Sequence, residues 1–394
     1  IPTPYYGDIT YYKDRTIYYE TSRGCPFNCS YCLSSTIRGV RFFPLDRVRK
    51  DLHFLINQGV REVKFVDRTF NCHEKRAIEL MRFIIDEKGT TKFHFEIGIQ
   101  STCPAALETV QRKMDWNRLS HNIKALKAYD NIHLHLDLIA GLPCEDYTTF
   151  AKSFNDVYFL NPDVIQLGFL KLLKGSKIRD EFAIHGYKFQ EKPPYQVLSN
   201  NYISYGELIE LTRVEDILER YFNSGNMAIS VAYIINKIYS GNAFHFYEQF
   251  ARYWEEHGYF KIGHRREAEY TFLQNFVNDY HGVYAAQVNE RLKYDYLISS
   301  RSYTLPENIH SCNPVNSNEI LNSCLRDEIF VDQYLPQFKT KTIREMKKQL
   351  RIEYFRFDAV KGTDLTTPVP VLFVYNPITK KAQKAIYLKD HIGN

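Results

Sequence analysis

Between residues 16 and 170, five strand-like runs (16–22, 60–67, 92–99, 131–139 and 163–170) are separated by stretches with helical spacing. Leu45, Val48, Leu52, Leu55 and Ile56 recur at the helical period, and Gly59 closes that run. The stretches "EKRAIELMRFIIDEKG", "WNRLSHNIKALKAYD" and "EDYTTFAKSFNDVYFL" repeat the pattern. Strands alternating with helices at this interval predict βαβ units, and so an α/β fold with a parallel sheet or barrel. In such folds ligands bind where the strands end at their carboxyl edge.

Two strands carry a further signal. In "IHLHLDLIA", His133, His135 and Asp137 alternate with Leu134, Leu136 and Leu138; in "FHFEIGIQ", His94, Glu96, Gly98 and Gln100 alternate with Phe93, Phe95, Ile97 and Ile99. Successive side chains on a strand point to opposite faces. The apolar set is therefore expected under helices and the polar set in a cavity, with His133, His135 and Asp137 as cavity candidates and the catalytic groups unassigned.

From about residue 187 the pattern changes. "EKPPYQVLSNN" reads as a connector, and the Gly-punctuated helical runs after it predict a mainly helical domain over 187–394. "VPVLFVYNPITKKAQKAIYL" predicts a closing β-hairpin around an Asn-Pro turn. The basic stretch "KTKTIREMKKQLRIEYFR" reads as a helical or mixed segment with a solvated face.

The chain has 394 residues, 44% hydrophobic and 25% charged, with a formal net charge of +5. Its basic residues are scattered, so nucleic acid is not indicated by composition. No run approaches eighteen apolar residues and no secretory leader opens the chain, so a cytoplasmic protein with no membrane partner is expected. The thirty Tyr and twenty-seven Phe predict wide aromatic cores. The chain starts at Ile1 rather than Met, so residues 1–15 read as a linker or remnant and a further N-terminal segment is expected outside it.

Three of the eight cysteines, Cys25, Cys29 and Cys32, form C-x3-C-x2-C directly after the first strand. Cys72, Cys103, Cys144, Cys312 and Cys324 are dispersed. In a cytosolic chain such a cluster reads as metal ligation or redox chemistry before disulfide scaffolding. Structural zinc asks for four ligands, usually as two knuckles, and no second Cys or His pair follows. An iron–sulfur cubane is usually held by four thiolates, so three would leave one iron open to an outside ligand. The ligand count favours the cluster over zinc.

"CPFNCSYC", with an aromatic residue before its last Cys and the strand-like "TIYYETS" ahead of it, resembles the signature of the radical S-adenosylmethionine (radical SAM) superfamily. "VKFVDRTFN", "FEIGIQS", "LHLDLIAGLP" and "IQLGFLKLLKGS" resemble, in order, later strand motifs of the branch that commonly carries an N-terminal cobalamin-binding domain. Residues 200–394 resemble a poorly characterised C-terminal region of one subgroup. The resemblance implies a partial (β/α) barrel over 16–186 and a separate C-terminal domain over 187–394. It also implies a 4Fe-4S cluster on Cys25, Cys29 and Cys32, whose open iron is chelated by S-adenosylmethionine (SAM). Reductive cleavage of SAM would yield a 5′-deoxyadenosyl radical that modifies a substrate. Cobalamin-dependent methyl transfer would be added where a cobalamin domain precedes the chain.

By the same resemblance, Asp67 and Arg68 fall where relatives contact the methionyl amine. Glu96, Gln100 and Ser101 fall near the ribose or carboxylate, and Ile139, Gly141, Leu142 and Leu170 near adenine. The partner implied is a one-electron reductant such as flavodoxin or ferredoxin, and the class is oxidoreductase or transferase. The superfamily's barrel usually has six βα units and five strands are found here. "KFHFEIGIQS" reads as two family segments fused, so one βα unit is expected to be lacking near 96–98, with a break in the chain there as one explanation. A methylthiotransferase-like RNA-modifying enzyme of the same superfamily, or a non-catalytic iron–sulfur or zinc protein, are the other classes the residues leave open.

Overall fold

A computed structural model describes residues 3–7, 9–12, 14–36, 39–70, 73–87, 89–302 and 304–388; Cys72 lies outside the described residues. The chain packs as two units, one of Ile1–Leu218 with Ala243–Glu248 and one of Glu219–Asn242 with Gln249–Asn394.

In the first unit the strands are, in chain order, β1 (Thr16–Tyr19), β2 (Ser22–Cys25), β3 (Gly39–Phe42), β4 (Glu62–Phe65), β5 (Lys92–Gln100), β6 (Ile132–Ala140) and β7 (Val164–Phe169). Two short strands follow, β8 (Lys188–Phe189) and β9 (Val197–Ser199). Five of them form one parallel sheet in the order β1-β4-β5-β6-β7, while β2 and β3 make an antiparallel ribbon that leads out of the sheet and back.

The helices between strands follow the expected periodicity. Leu45–Asn57 buries Val48, Leu52, Leu55 and Ile56, and Gly59 takes a left-handed turn (φ 69°) as the chain leaves it. Trp116–Leu126 and Tyr147–Tyr158 are each opened by an aspartate, Asp115 and Asp146, whose side chain accepts a backbone N–H of the first turn. Under them lie Phe93, Phe95, Ile97 and Ile99 of β5 and Leu134, Leu136 and Leu138 of β6, all buried. Each such side chain contributes about 1.5–3 kcal/mol by leaving water.

The expected break near residues 96–98 is absent. β5 is one unbroken nine-residue strand; its first residues pair with β4 and nearly its whole length with β6. Its apolar alternation runs from Phe93 to Ile99 in one phase, so the fused segment satisfies both neighbours as a single strand, and the sheet has five members.

In the second unit, helices Arg266–His281 and Ala285–Ser299 pack with an antiparallel sheet. That sheet has three strands, β10 (Leu350–Asp358), β11 (Thr363–Tyr375) and β12 (Ala382–Tyr387), one more than the hairpin expected from sequence. The basic stretch is helical only over Ile343–Lys347, and the rest becomes β10 because Leu350, Ile352, Tyr354, Phe355 and Phe357 are buried there. Among the described residues no helix is long and apolar enough to cross a membrane.

Candidate functional site

The cysteine loop is carried on β2, which starts two residues beyond the end of β1. Gly24 lies at φ 104° in the ribbon, and a Cβ there would collide with the Gly39 carbonyl oxygen, so only glycine lets the two ribbon strands approach. Asp67, just after β4, fixes the same crossing: it accepts the Thr21 amide (3.0 Å), the Thr21 hydroxyl (2.7 Å) and the Ser22 hydroxyl (2.5 Å). Its carboxylate thus orients the entry to the cysteine loop while also lining a cavity.

The seven described cysteines are thiols rather than disulfides. Cys25 Sγ lies 3.4 Å from the Thr69 hydroxyl, and the Cys32 amide donates to the Cys29 carbonyl to close a tight turn. Cys29 is buried, and Arg112 points Nη1 at its sulfur from 3.8 Å. The same guanidinium donates through Nη2 to the Gly98 carbonyl of β5 and lies over the Phe27 ring. Burial holds the Tyr31 phenol well above its ordinary range, with Cys29 and Cys32 adding to that effect. Among the described residues no three His, Cys, Asp or Glu side chains converge as a single ion would require. Three cysteine sulfurs with a neighbouring cation are a donor set that fits an iron–sulfur cluster.

Against this loop lies a cavity of about 480 Å³ at the carboxyl edge of β4, β5 and β6, within the size range of small-molecule sites. Thr69 and Arg112, which touch the sulfurs of Cys25 and Cys29, both line it. So do Arg68, Glu96, Gln100 and Asp137. A Cβ on Gly98 would strike the Gln100 amide, and Gln100 itself turns out of the strand at φ 75°. A second cavity of about 710 Å³, mostly apolar, opens between helices Glu74–Asp86 and Trp116–Leu126 and shares Thr69, Gly98 and Arg112 with the first.

The polar strand face assembles as the alternation predicts. Lys64 pairs with Glu96 (3.0 Å), Glu62 faces His94 (3.5 Å), and the His94 ring lies 4.5 Å from His133 and 5.8 Å from His135 between centroids. His135 Nε2 and Asp137 Oδ1 are 3.3 Å apart, yet both atoms, like His94 Nε2, are buried without a well-formed hydrogen bond. Burial, followed by the Glu96 charge, pushes the Asp137 carboxyl up to about 7. Burial, then His133 and Lys64, brings His94 down to about 4, and burial also lowers His135. For Glu96 burial acts upward, but the Lys64 hydrogen bond and charge, with His135 and His94, together outweigh it and hold the carboxyl low.

The remaining sequence candidates separate. Ile139 continues the half-buried face of His133, His135 and Asp137. Leu142 and Leu170 are buried, and Gly141 (φ 91°) lends its carbonyl to Tyr187 (3.1 Å) and Asn200 (3.0 Å), so these three form the wall beneath the strand ends. Ser101 is fully buried and donates to Glu145 (2.6 Å), which Ser153 also reaches (2.8 Å), placing it in an internal network. Burial raises Glu145 to about 7 against those two hydrogen bonds. Arg112 and Lys64 were not legible as site residues from local sequence. Arg112 lies in no motif, and its approach to Cys29 depends on the loop after β5; Lys64 shows only as the polar member of the alternating "EVKF".

Residues 19–140 match the radical SAM superfamily, and residues 183–373 match a protein family of unknown function, DUF4080. An uncharacterized methyltransferase of Pyrococcus horikoshii is 29% identical over 192 residues, 42% of this chain and 41% of the relative. The cobalamin-dependent radical SAM methyltransferase TokK of Streptomyces tokunonensis is 25% identical over 35% of this chain and 24% of its own length. A tRNA-2-methylthio-N(6)-dimethylallyladenosine synthase of a Sulfurihydrogenibium species is 22% identical over 35% of this chain and 39% of its own. The chain thus spans between about a quarter and two-fifths of the length of these curated relatives.

Proposed function

We propose, from the match of residues 19–140 to the radical SAM superfamily, that this chain is an enzyme that uses SAM to modify an organic substrate in the cavity at the carboxyl edge of its five-stranded sheet. The observation that carries this reading is the convergence of loop and cavity: Thr69 and Arg112 each touch a cysteine sulfur and each line the 480 Å³ space. Cys25, Cys29 and Cys32 would hold a 4Fe-4S cluster, with the methionyl end of SAM on the remaining iron. When bound, that pair supplies one-electron reductive cleavage of the sulfonium, and cobalamin from a further domain would add methyl transfer, the chemistry named for the relative TokK.

The chain's own residues supply position and charge. Arg112 fixes Cys29 against β5 and offsets thiolate charge, while Asp67 holds the Thr21–Ser22 crossing that aims the loop. Gln100, Arg68 and the Lys64–Glu96 pair present polar groups around the bound cofactor, and Ile139 offers an apolar edge for adenine, with Gly141, Leu142 and Leu170 fixing that wall. Below them, His135 Nε2 and Asp137 Oδ1 face each other at 3.3 Å without a well-formed hydrogen bond, and Asp137, on the cavity lining, is placed to hydrogen-bond a substrate and to hold or pass a proton. A reductant such as flavodoxin or ferredoxin would deliver the electron, and the cytoplasm is the compartment that suits reduced thiols.

Anaerobic reconstitution tests this directly. About four iron and four sulfide per chain are expected, with SAM converted on reduction to 5′-deoxyadenosine, or to S-adenosylhomocysteine where methyl transfer operates. One zinc with no sulfide would overturn the reading.

A further inference from the structure

The second unit holds a pocket of about 460 Å³ whose lining includes Gln274, Gln287, Asn289, Glu290 and Cys312. We propose that this pocket binds a small molecule that presents amide-type N–H donors, as found on nucleobases and carboxamides.

Gln274, on helix Arg266–His281, is only 3% exposed. Its Nε2 donates both to Asn278 Oδ1 (2.8 Å) and to the Ala285 carbonyl (3.2 Å), which fixes the orientation of the amide. The oxygen left over, Oε1, is buried without a donor. Gln287, on the following helix Ala285–Ser299, leaves its own Oε1 buried in the same condition. Asn289, 8% exposed, spends its amide on the Asn308 carbonyl (3.2 Å). A buried carbonyl oxygen without a donor costs free energy that a ligand N–H recovers, so two such oxygens on one pocket wall mark the position of donors.

The two carboxylates on the pocket lining are already met, so neither asks for a cationic ligand. Glu290 takes Lys293 Nζ at 2.8 Å on one oxygen and the Arg356 amide at 2.6 Å on the other. Asp364 is met by Arg291 at 2.8 Å. The Gln274 and Gln287 oxygens are left as acceptors, and a ligand N–H is what they take. The volume suits one base or one amide-capped amino acid.

The site is independent of the cysteine loop, and its test does not depend on the cluster. Full-length chain, specifically 15N-labelled at Gln side chains, is titrated with uridine as the cyclic source and with N-acetylglycinamide as the acyclic one. Saturable binding of either probe, with movement of Gln side-chain amide signals, is expected; the arm that binds identifies the source. Gln287→Met and Gln274→Met are each expected to weaken that binding roughly 3- to 10-fold, with unfolding monitored in parallel. Gln287 is the less buried of the two, so its variant keeps the test open if Gln274→Met does not fold. Absence of binding by both probes overturns the proposal. So does unchanged affinity in a folded Gln287→Met variant, or equal binding of a fully N-methylated probe.

Discussion

The concave strand face of the first unit and the buried ionic cluster of the second treat polar groups in opposite ways. On the strand face, His94 Nε2, His135 Nε2 and Asp137 Oδ1 are buried with no well-formed hydrogen bond. In the second unit Lys293, with no exposed surface, meets Glu290 (2.8 Å), the Tyr354 carbonyl (2.8 Å) and Cys312 Sγ (3.7 Å), and Glu353, equally buried, is held by Arg351 (2.8 Å) and Ser311. A buried charge whose bonding positions are filled belongs to the framework; one whose positions stay open is set aside for something that arrives. By the same criterion the Gln274 and Gln287 oxygens stand apart from the satisfied cluster beside them.

The sharpest way to break this contrast is to remove one cysteine from each region. Cys29→Ala is expected to abolish cluster assembly and lower SAM cleavage by at least ~100-fold, whereas Cys312→Ala leaves iron and sulfide content intact. Full cleavage by the Cys29 variant would dissolve the distinction. Next in size, Lys293→Met leaves Glu290 buried with one oxygen unmatched, and chemical denaturation should show a loss of about 3–5 kcal/mol. Lys64→Met, which breaks a partly exposed pair, should lose about 0–1 kcal/mol in the same assay.

Asp137→Asn sharpens the comparison through pH. The folded carboxyl titrates at about 7 against an ordinary 3.8, so the folded chain holds a proton there that the unfolded chain releases. Stability from this group is therefore lost as pH rises from about 4 to 7. The Asn variant should be more stable than the parent by about 1–3 kcal/mol at pH 8 and nearly equal at pH 4. His94, brought down to about 4, works in the other direction: its contribution is lost as pH falls from about 6.5 to 4, and His94→Gln should flatten that limb. At the bottom of the scale, Lys177→Ala removes an exposed pair with Glu181 and should change stability by less than about 0.5 kcal/mol.

What could be read from the sequence follows from range. The parallel sheet was legible because each strand and helix announces itself within a dozen residues, and the polar face was legible because strand alternation is strict from His94 to Gln100 and from His133 to Asp137. The cysteine loop was legible from spacing alone. Arg112 was not, since nothing local ties it to Cys29, 83 positions away. β10 escaped because its residues are buried on both faces, Glu353 included, so neither helical nor strand alternation appears in "LRIEYFRFD". Ser101 looked like a cavity residue by adjacency to Gln100, but the left-handed turn at Gln100 rotates it inward to Glu145.

The single unbroken β5 has a consequence for what can enter. Five parallel strands give four inter-strand gaps of about 4.8 Å, a wall only about 19 Å across, with β1 and β7 as its two rims. A wall that narrow cannot enclose a large molecule; it can only receive an end of one. Under the proposed function, the reacting group of a bulky substrate would dip past one rim to the cysteine loop while the rest of the molecule stays outside, so selectivity would fall on the tip that fits and on whatever surface meets the remainder.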